Sequence, residues 1–209
     1  MTRTDMLARV RTLLDEASAS FWTDTEIYSA LADGQQEIAN YLVINYRKAK
    51  DLNPSAEIPP SLVPLYNTST STTASGLINK PTGFWHLLYA LYAYSGGTSY
   101  NCRIQPLSPS LYFDLDNTYL TPSSIDPAIY QAPTSQLYFK PTPIGTATYT
   151  IGYIKLPDAI SASVDATLPV QTHQSIVHWA TAQMLFKDQR PQEAQIHLQN
   201  FINELQIIG

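Results

Sequence analysis

Phe21-Trp22-Thr23-Asp24-Thr25-Glu26-Ile27 reads as the start of a helix. Thr23 and Glu26 form the S/T-x-x-E capping box, in which each side chain takes up a backbone N–H left orphaned in the first turn. Trp22 before the cap and Ile27 at the fourth helical position make a hydrophobic staple that fixes how the chain comes in. Beyond it, Ile27, Leu31, Ile38 and Leu42 recur at helical spacing on one face. Gly34 shares that face, where its cost of about 1 kcal/mol points to close packing. Arg47, Lys48 and Lys50 close the helix and complement the negative end of its macrodipole.

Helices are expected on both sides of this one. Upstream, Met6, Leu7, Val10, Leu13 and Leu14 predict a first helix from about Thr4. Downstream of Pro169, Ile176, Val177, Ala180, Met184 and Leu185 predict another, broken at Lys187-Asp188-Gln189-Arg190. Pro191 suits the first position of a last helix. Its stripe of Ala194, Leu198, Phe201, Ile202 and Leu205 is complete before the expected end near Gln206.

The middle of the chain is different in kind. Pro54, Pro59, Pro60, Pro64 and Pro81 surround the run Asn67-Thr68-Ser69-Thr70-Ser71-Thr72-Thr73-Ala74-Ser75-Gly76, which offers little apolar surface and is expected to be an exposed, mobile loop. Asn67-Thr68-Ser69 matches a glycosylation sequon, meaningless without a secretory leader. Strands are predicted for Phe84 to Tyr94, then a turn at Ser95-Gly96-Gly97-Thr98, then Tyr100 to Leu107. Gln136 to Lys140 makes a further short strand. After Gly145 the alternation is strict: Ala147, Tyr149, Ile151 and Tyr153 face one way, and Thr146, Thr148, Thr150 and Gly152 the other. The expected fold class is therefore α+β. Both chain ends, residues 1–52 and 165–209, form an antiparallel helical bundle, with a central inserted antiparallel β domain, residues 53–164, carrying a Thr/Ser/Pro-rich loop near 66–77.

Composition narrows the function. With 209 residues, 44% hydrophobic and 11% aromatic, the chain can bury a real core, and disorder as a whole is excluded. Only 14% of residues are charged, against about 25% in ordinary domains, which suggests a surface that expects partners. A net charge of −5 does not support non-specific capture of nucleic acid. The single cysteine, Cys102, excludes a disulfide scaffold within one chain. No run is long enough to span a membrane, and Met1-Thr2-Arg3-Thr4-Asp5 lacks a signal peptide's apolar stretch. The expectation is a soluble protein made in a reducing cytoplasm.

Motifs for chemistry are few. Phe113-Asp114-Leu115-Asp116-Asn117-Thr118 resembles the first motif of haloacid-dehalogenase-type phosphatases, where paired carboxylates attack phosphorus beside Mg²⁺. The 91 residues after Thr118 hold no G-D-x-x-x-D acidic motif, and Pro106 to Ser110 reads as the start of a short helix carrying both aspartates in solvent. His173 and His178, five apart, do not share a helical face for a metal, and His86 and His197 stand elsewhere. No Walker A, G-x-G-x-x-G, H-E-x-x-H or G-x-S-x-G sequence occurs. No catalytic, cofactor or metal residue is therefore expected. Tyr89, Tyr92, Tyr94 and Tyr100 form an aromatic ladder without interleaved basic residues, which reads as a sheet face packing on a neighbour rather than a base-stacking platform.

The order of these features resembles the head–tail connector adaptors of tailed bacteriophages. There a first helix precedes an F-W-T-D-x-E-I/L lead-in to a second helix with a Q-x-E-I-A pattern, matched by Phe21 to Ile27 and by Gln36-Glu37-Ile38-Ala39. Pro81-Thr82-Gly83-Phe84 matches a P-x-x-F strand start, and Pro106-Leu107-Ser108-Pro109-Ser110 a P-L-x-P-x-S-like turn. Leu137 to Pro141 and Tyr149 to Tyr153 match a strand pair, and Leu168-Pro169 with Trp179-Ala180 the final helical pair. The resemblance implies a structural virion protein in the neck. It would form a homo-oligomeric, dodecameric ring between the portal protein and the tail, with DNA passing through the lumen. It also implies that the C-terminal segment reaches toward the portal. Ile207 and Ile208, with little reason within the chain to stand at its end, are expected either in an apolar groove of the portal or of a neighbouring subunit, or packed against the bundle's own end. Tyr89, Tyr92 and Tyr94 complete the expected partner interface. The phosphatase using Asp114 and Asp116 and a generic tail-associated binding module are the alternatives.

Overall fold

The computed structural model describes residues 1–16, 21–53, 55–94, 99–106, 128–131, 134–140 and 145–208. Asp114 and Asp116, the turn at 95–98 and the Tyr94 side chain lie outside the described residues. The chain is mixed helix and sheet and divides into two compact units, Met1–Leu65 with Leu156–Gly209, and Tyr66–Lys155.

In the first unit, α1 (Arg3–Leu13) starts one residue before the expected Thr4. The reason is a second capping box: Thr2 N–H donates to Asp5 Oδ2 at 2.8 Å, and Asp5 N–H donates to Thr2 Oγ1 at 3.2 Å. Helix α2 (Asp24–Leu52) begins as the sequence predicts, with Thr23 and Glu26 in a closed box and both Trp22 and Ile27 buried. Its 29 residues make a rod of about 43 Å. The chain returns after Leu156, passes a 3-10 turn (Val170–Thr172), and forms α3 (His173–Lys187) and α4 (Pro191–Ile208). Helix α3 packs on each of α1, α2 and α4. Gly34 is where α2 comes closest to α3: a Cβ there would lie 2.9 Å from Trp179 Cδ1.

Two polar side chains hold this unit where apolar packing does not. Arg11 is buried, donates to the Trp22 carbonyl at 3.0 Å, and pairs with Glu16 at 3.2 Å and with Asp24. Glu16 in turn accepts the N–H groups of Phe21 and Trp22. Gln35, only 1% exposed, donates to the Asp158 carbonyl at 2.8 Å and accepts from Thr167 and Leu168 N–H at 2.6 and 3.2 Å. It ties the returning chain to α2.

The second unit is two facing sheets. One has the order β1-β8-β3-β4, built from β1 (Tyr66–Thr73), β3 (Phe84–Tyr94), β4 (Ser99–Asn101) and β8 (Ala147–Lys155), antiparallel throughout. The other has the order β2-β7-β6-β5, from β2 (Leu77–Asn79), β5 (Arg103–Pro106), β6 (Ala128–Gln131) and β7 (Gln136–Lys140). There β5 and β6 run parallel, a departure from the expected antiparallel β domain. The 21 residues between them are long enough for the crossover a parallel pair needs.

The Thr/Ser run corrects a second expectation. Residues 66–73 are not a loop but β1, paired with β8 from Tyr66↔Ile154 to Thr73↔Ala147 without a break. A strand needs ladder hydrogen bonds and β-branched side chains more than apolar ones, and alternate threonines supply both. Thr68, Thr70 and Thr72 are exposed, and Thr70 Oγ1 lies 3.1 Å from Thr150 Oγ1 across the ladder. Only the turn through Ser75 and Gly76, with Gly76 at φ 69°, is left of the loop.

The β core gathers Leu87, Ala90, Tyr92, Tyr149, Ile151 and Tyr153 from the first sheet against Ile78, Ile129, Leu137 and Phe139 from the second. The predicted alternation of β8 holds, with Ala147, Tyr149, Ile151 and Tyr153 inward. Strands β7 and β8 meet through this core, Phe139 on Tyr149 at a ring separation of 4.0 Å, rather than in one ladder. Among the described residues the buried Tyr149 hydroxyl has no hydrogen-bond partner. Tyr149→Phe should therefore raise stability by about 1 kcal/mol, because it removes an unpaired buried hydroxyl and almost no volume. A lower urea midpoint for the variant would contradict this.

Candidate partner interface

Helix α4 ends at Ile208, past the expected Gln206, and buries Ala194, Phe201 and Leu205. Phe201 packs on Trp179 with ring centroids 5.0 Å apart. Ile202 leaves the expected stripe and is 41% exposed, because a step of about 100° from Phe201 carries it to the flank of the buried arc. Ile207 is 84% exposed, while Ile208 is partly buried. Ile196, 61% exposed, stands three turns before Ile207 at nearly the same azimuth, about 16 Å away along the helix. The outer face of α4 thus carries two separated isoleucines with Asn200 and Asn203 between them.

The tyrosines do not act together. Tyr92 is 3% exposed and packs on Tyr149 at 5.3 Å, so it belongs to the β core and not to a contact surface. Tyr89 lies on the opposite face of its sheet, directly over Gly152, where an added Cβ would fall 2.1 Å from its ring. Its hydroxyl meets that of Tyr66 at 2.9 Å. A spacing of three puts Tyr89 and Tyr92 on opposite sides of a strand with period two.

A pairing the sequence did not announce joins α3 to α4. His178 Nδ1 lies 3.1 Å from His197 Nδ1. Gln174 Nε2 is 3.1 Å from His178 Nε2, and Ser175 Oγ donates to Glu204 at 2.6 Å. Burial lowers the pKa of both imidazoles from the ordinary 6.5. For His178, Glu204 opposes that shift and Arg9 adds to it; for His197, His178 adds to it and Glu193 opposes it. Folded chains then bind fewer protons than unfolded ones below that value, so stability is full above about pH 6.5 and falls as the pH drops through 6.5 toward the lowered folded values. The thermal midpoint should decline between about pH 7.5 and 5.5, and the decline should shrink in His197→Asn. An equal decline in both proteins would remove the histidine pair from the explanation.

A cavity of about 310 Å³ between α2 and α3 is lined by Asp33, Gln36, Glu37, Trp179 and Gln183. Cys102 is buried, and burial pushes its thiol up to about 12, which keeps it protonated and unreactive. Among the described residues no group of three or more His, Cys, Asp or Glu side chains could hold a metal ion, and no helix is long and apolar enough to cross a membrane. Exposed large apolar side chains, by contrast, are many. Phe21, Ile44, Leu52, Val170, Ile196 and Ile207 are more than half exposed, and only Leu77 and Ile104 of the described set belong to the β unit.

The chain is thus α+β, with several large apolar side chains exposed on its helical unit. It belongs to the SU10 adaptor protein family, whose model matches residues 1–208. The resemblance to phage head–tail adaptors is thereby borne out over nearly the whole chain, and the family is one of structural phage proteins. No curated protein matches the chain.

Proposed function

We propose that this chain is a head-to-tail adaptor of the virion neck, a ring of identical subunits docked between the portal protein and the tail, with DNA passing through its lumen. Its two chain ends form one antiparallel helical bundle and the β unit is inserted between them. The observation that carries the reading is the match to an adaptor family along residues 1–208. The surface agrees with it. A ring of identical copies needs head-to-tail contacts on every subunit, and the helical unit offers exposed Phe21, Leu52 and Ile207 for them. A lumen in which DNA slides must not grip phosphate, and a chain of net charge −5 avoids that grip. Native mass spectrometry of the purified protein, alone and with its portal, tests the reading. A closed ring, dodecameric by the resemblance, is the expected species, and a monomer in both samples overturns it.

Within this reading Ile207 and its neighbour Ile208 dock in an apolar groove of the portal or of the next subunit. The core of α4 is complete at Leu205, so the 84% exposed Ile207 does nothing for the fold that charge would undo. Ile207→Asp should leave stability within about 0.5 kcal/mol of wild type and abolish portal binding or ring assembly. Survival of both activities in this variant would end the docking idea.

A further inference from the structure

We propose that the Thr68–Thr73 stretch of β1 is an open edge that receives the β4 edge of a second copy, so that the four-stranded sheet continues from one subunit into the next. This rests on the ring reading and names its contact.

The edge strands of β sandwiches are normally blunted by brevity, charge, proline or a bulge, because a free row of N–H and C=O groups is a template for another strand. The edges of the second sheet follow this rule: β2 has three residues, and β5 has four and ends in Pro106. Strand β1 does not. It is an edge of its sheet, eight residues long, with the sequence YNTSTSTT, no charge and no proline, and its register on β8 has no bulge. In an antiparallel ladder alternate residues turn both backbone groups away from the partner. Within Thr68–Thr73 half of the backbone groups therefore face outward, and among the described residues no strand takes them up. Hydroxyl side chains keep such an edge wet and soluble while leaving the backbone groups accessible.

The sheet itself says what fits. Strand β1 is antiparallel to β8, β8 to β3, and β3 to β4, so β4 runs opposite to β1. The β4 edge of a second copy laid along β1 extends the sheet with its alternation unbroken. Each copy owns one edge of each kind, so the contact is head-to-tail and propagates until it closes. Pairing β1 with another β1 would be isologous and stop at a dimer. Recognition through the backbone also suits a strand of serines and threonines, which has no large side chain to fill a pocket.

The test is a pair of adjacent proline variants of the full chain, Ser69→Pro and Thr70→Pro. One removes an N–H that points at β8, and the other removes one that points outward, where an edge strand tolerates proline. Native mass spectrometry is run on both, alone and with the portal, beside their melting curves. The variant that keeps the wild-type melting curve should lose the ring and appear as a monomer, and a ring from that variant overturns the proposal. If both variants melt early, Thr70→Lys combined with Thr72→Lys puts charge on the edge without touching the backbone, and an intact ring from it overturns the proposal equally. A wild-type chain that forms no ring in either sample refutes the ring reading itself, an outcome distinct from a ring that survives the edge variants.

Discussion

Arg11→Met should lower the unfolding free energy by about 3–5 kcal/mol, the range expected when one partner of a buried ion pair is removed. The size comes from Glu16 and not from Asp24. The Glu16 side chain is 10% exposed and loses its cationic partner with the Arg11 guanidinium, whereas the Asp24 side chain, 56% exposed, is hydrated and its pairing is screened. The Trp22 carbonyl also loses its donor. Adding Glu16→Gln to Arg11→Met should recover part of the loss, since the introduced amide keeps an oxygen for the N–H groups of Phe21 and Trp22 without burying a charge. Urea unfolding of the four proteins in this cycle at neutral pH measures the coupling. A single-variant loss below about 1 kcal/mol would mean that Arg11 contributes no more than an exposed ion pair.

The parts of the fold that could be read from the chain are those fixed by local chemistry. The box at Thr23 and Glu26, the break before Pro191 and the alternation of β8 each rest on residues within one turn or one strand. The exposure of Ile207 is legible in the same way, since a stripe complete at Leu205 leaves it nothing of its own to bury against, although the helix itself runs past Gln206 to Ile208. Arg11 and Gln35 were missed although a signal was present. Arg11 lies four residues after Leu7 and three before Leu14, and Gln35 four after Leu31 and three before Ile38, so both occupy apolar stripes. A polar residue on such a stripe is either an error of reading or a buried group with partners, and here both have partners. The pairing of His178 with His197 had no such signal, because it depends on how α3 meets α4. The threonine run reads as a loop only if apolar content marks a strand, whereas an edge strand is held by its ladder. Tyr92 was misplaced for a simpler reason, the odd spacing from Tyr89.

Gln35→Leu should cost about 1–3 kcal/mol, since it nearly keeps the volume but leaves the buried Leu168 N–H without its acceptor. Asp158 C=O loses its donor, and Thr167 and Leu168 N–H lose their shared acceptor. A buried group left unpaired costs about 1–3 kcal/mol; that applies to the buried Leu168, whereas Thr167 is half-buried and Asp158 exposed, so water reaches their backbone groups. Gln35→Glu separates the two halves of the contact. The carboxylate still accepts from Thr167 and Leu168 but meets the Asp158 carbonyl with a lone pair instead of an N–H, and it is charged at a site only 1% exposed. Burial and the facing carbonyl both favour the protonated acid, so its folded pKa is raised above the unfolded value. A raised carboxylic acid costs stability at neutral pH, and that cost is relieved as the pH falls through the folded pKa toward the unfolded one. Relative to wild type, Gln35→Glu should thus gain stability between about pH 7 and pH 4.5, while Gln35→Leu should keep a constant deficit. Parallel pH profiles for the two variants would show that the Asp158 carbonyl does not take its hydrogen bond from residue 35.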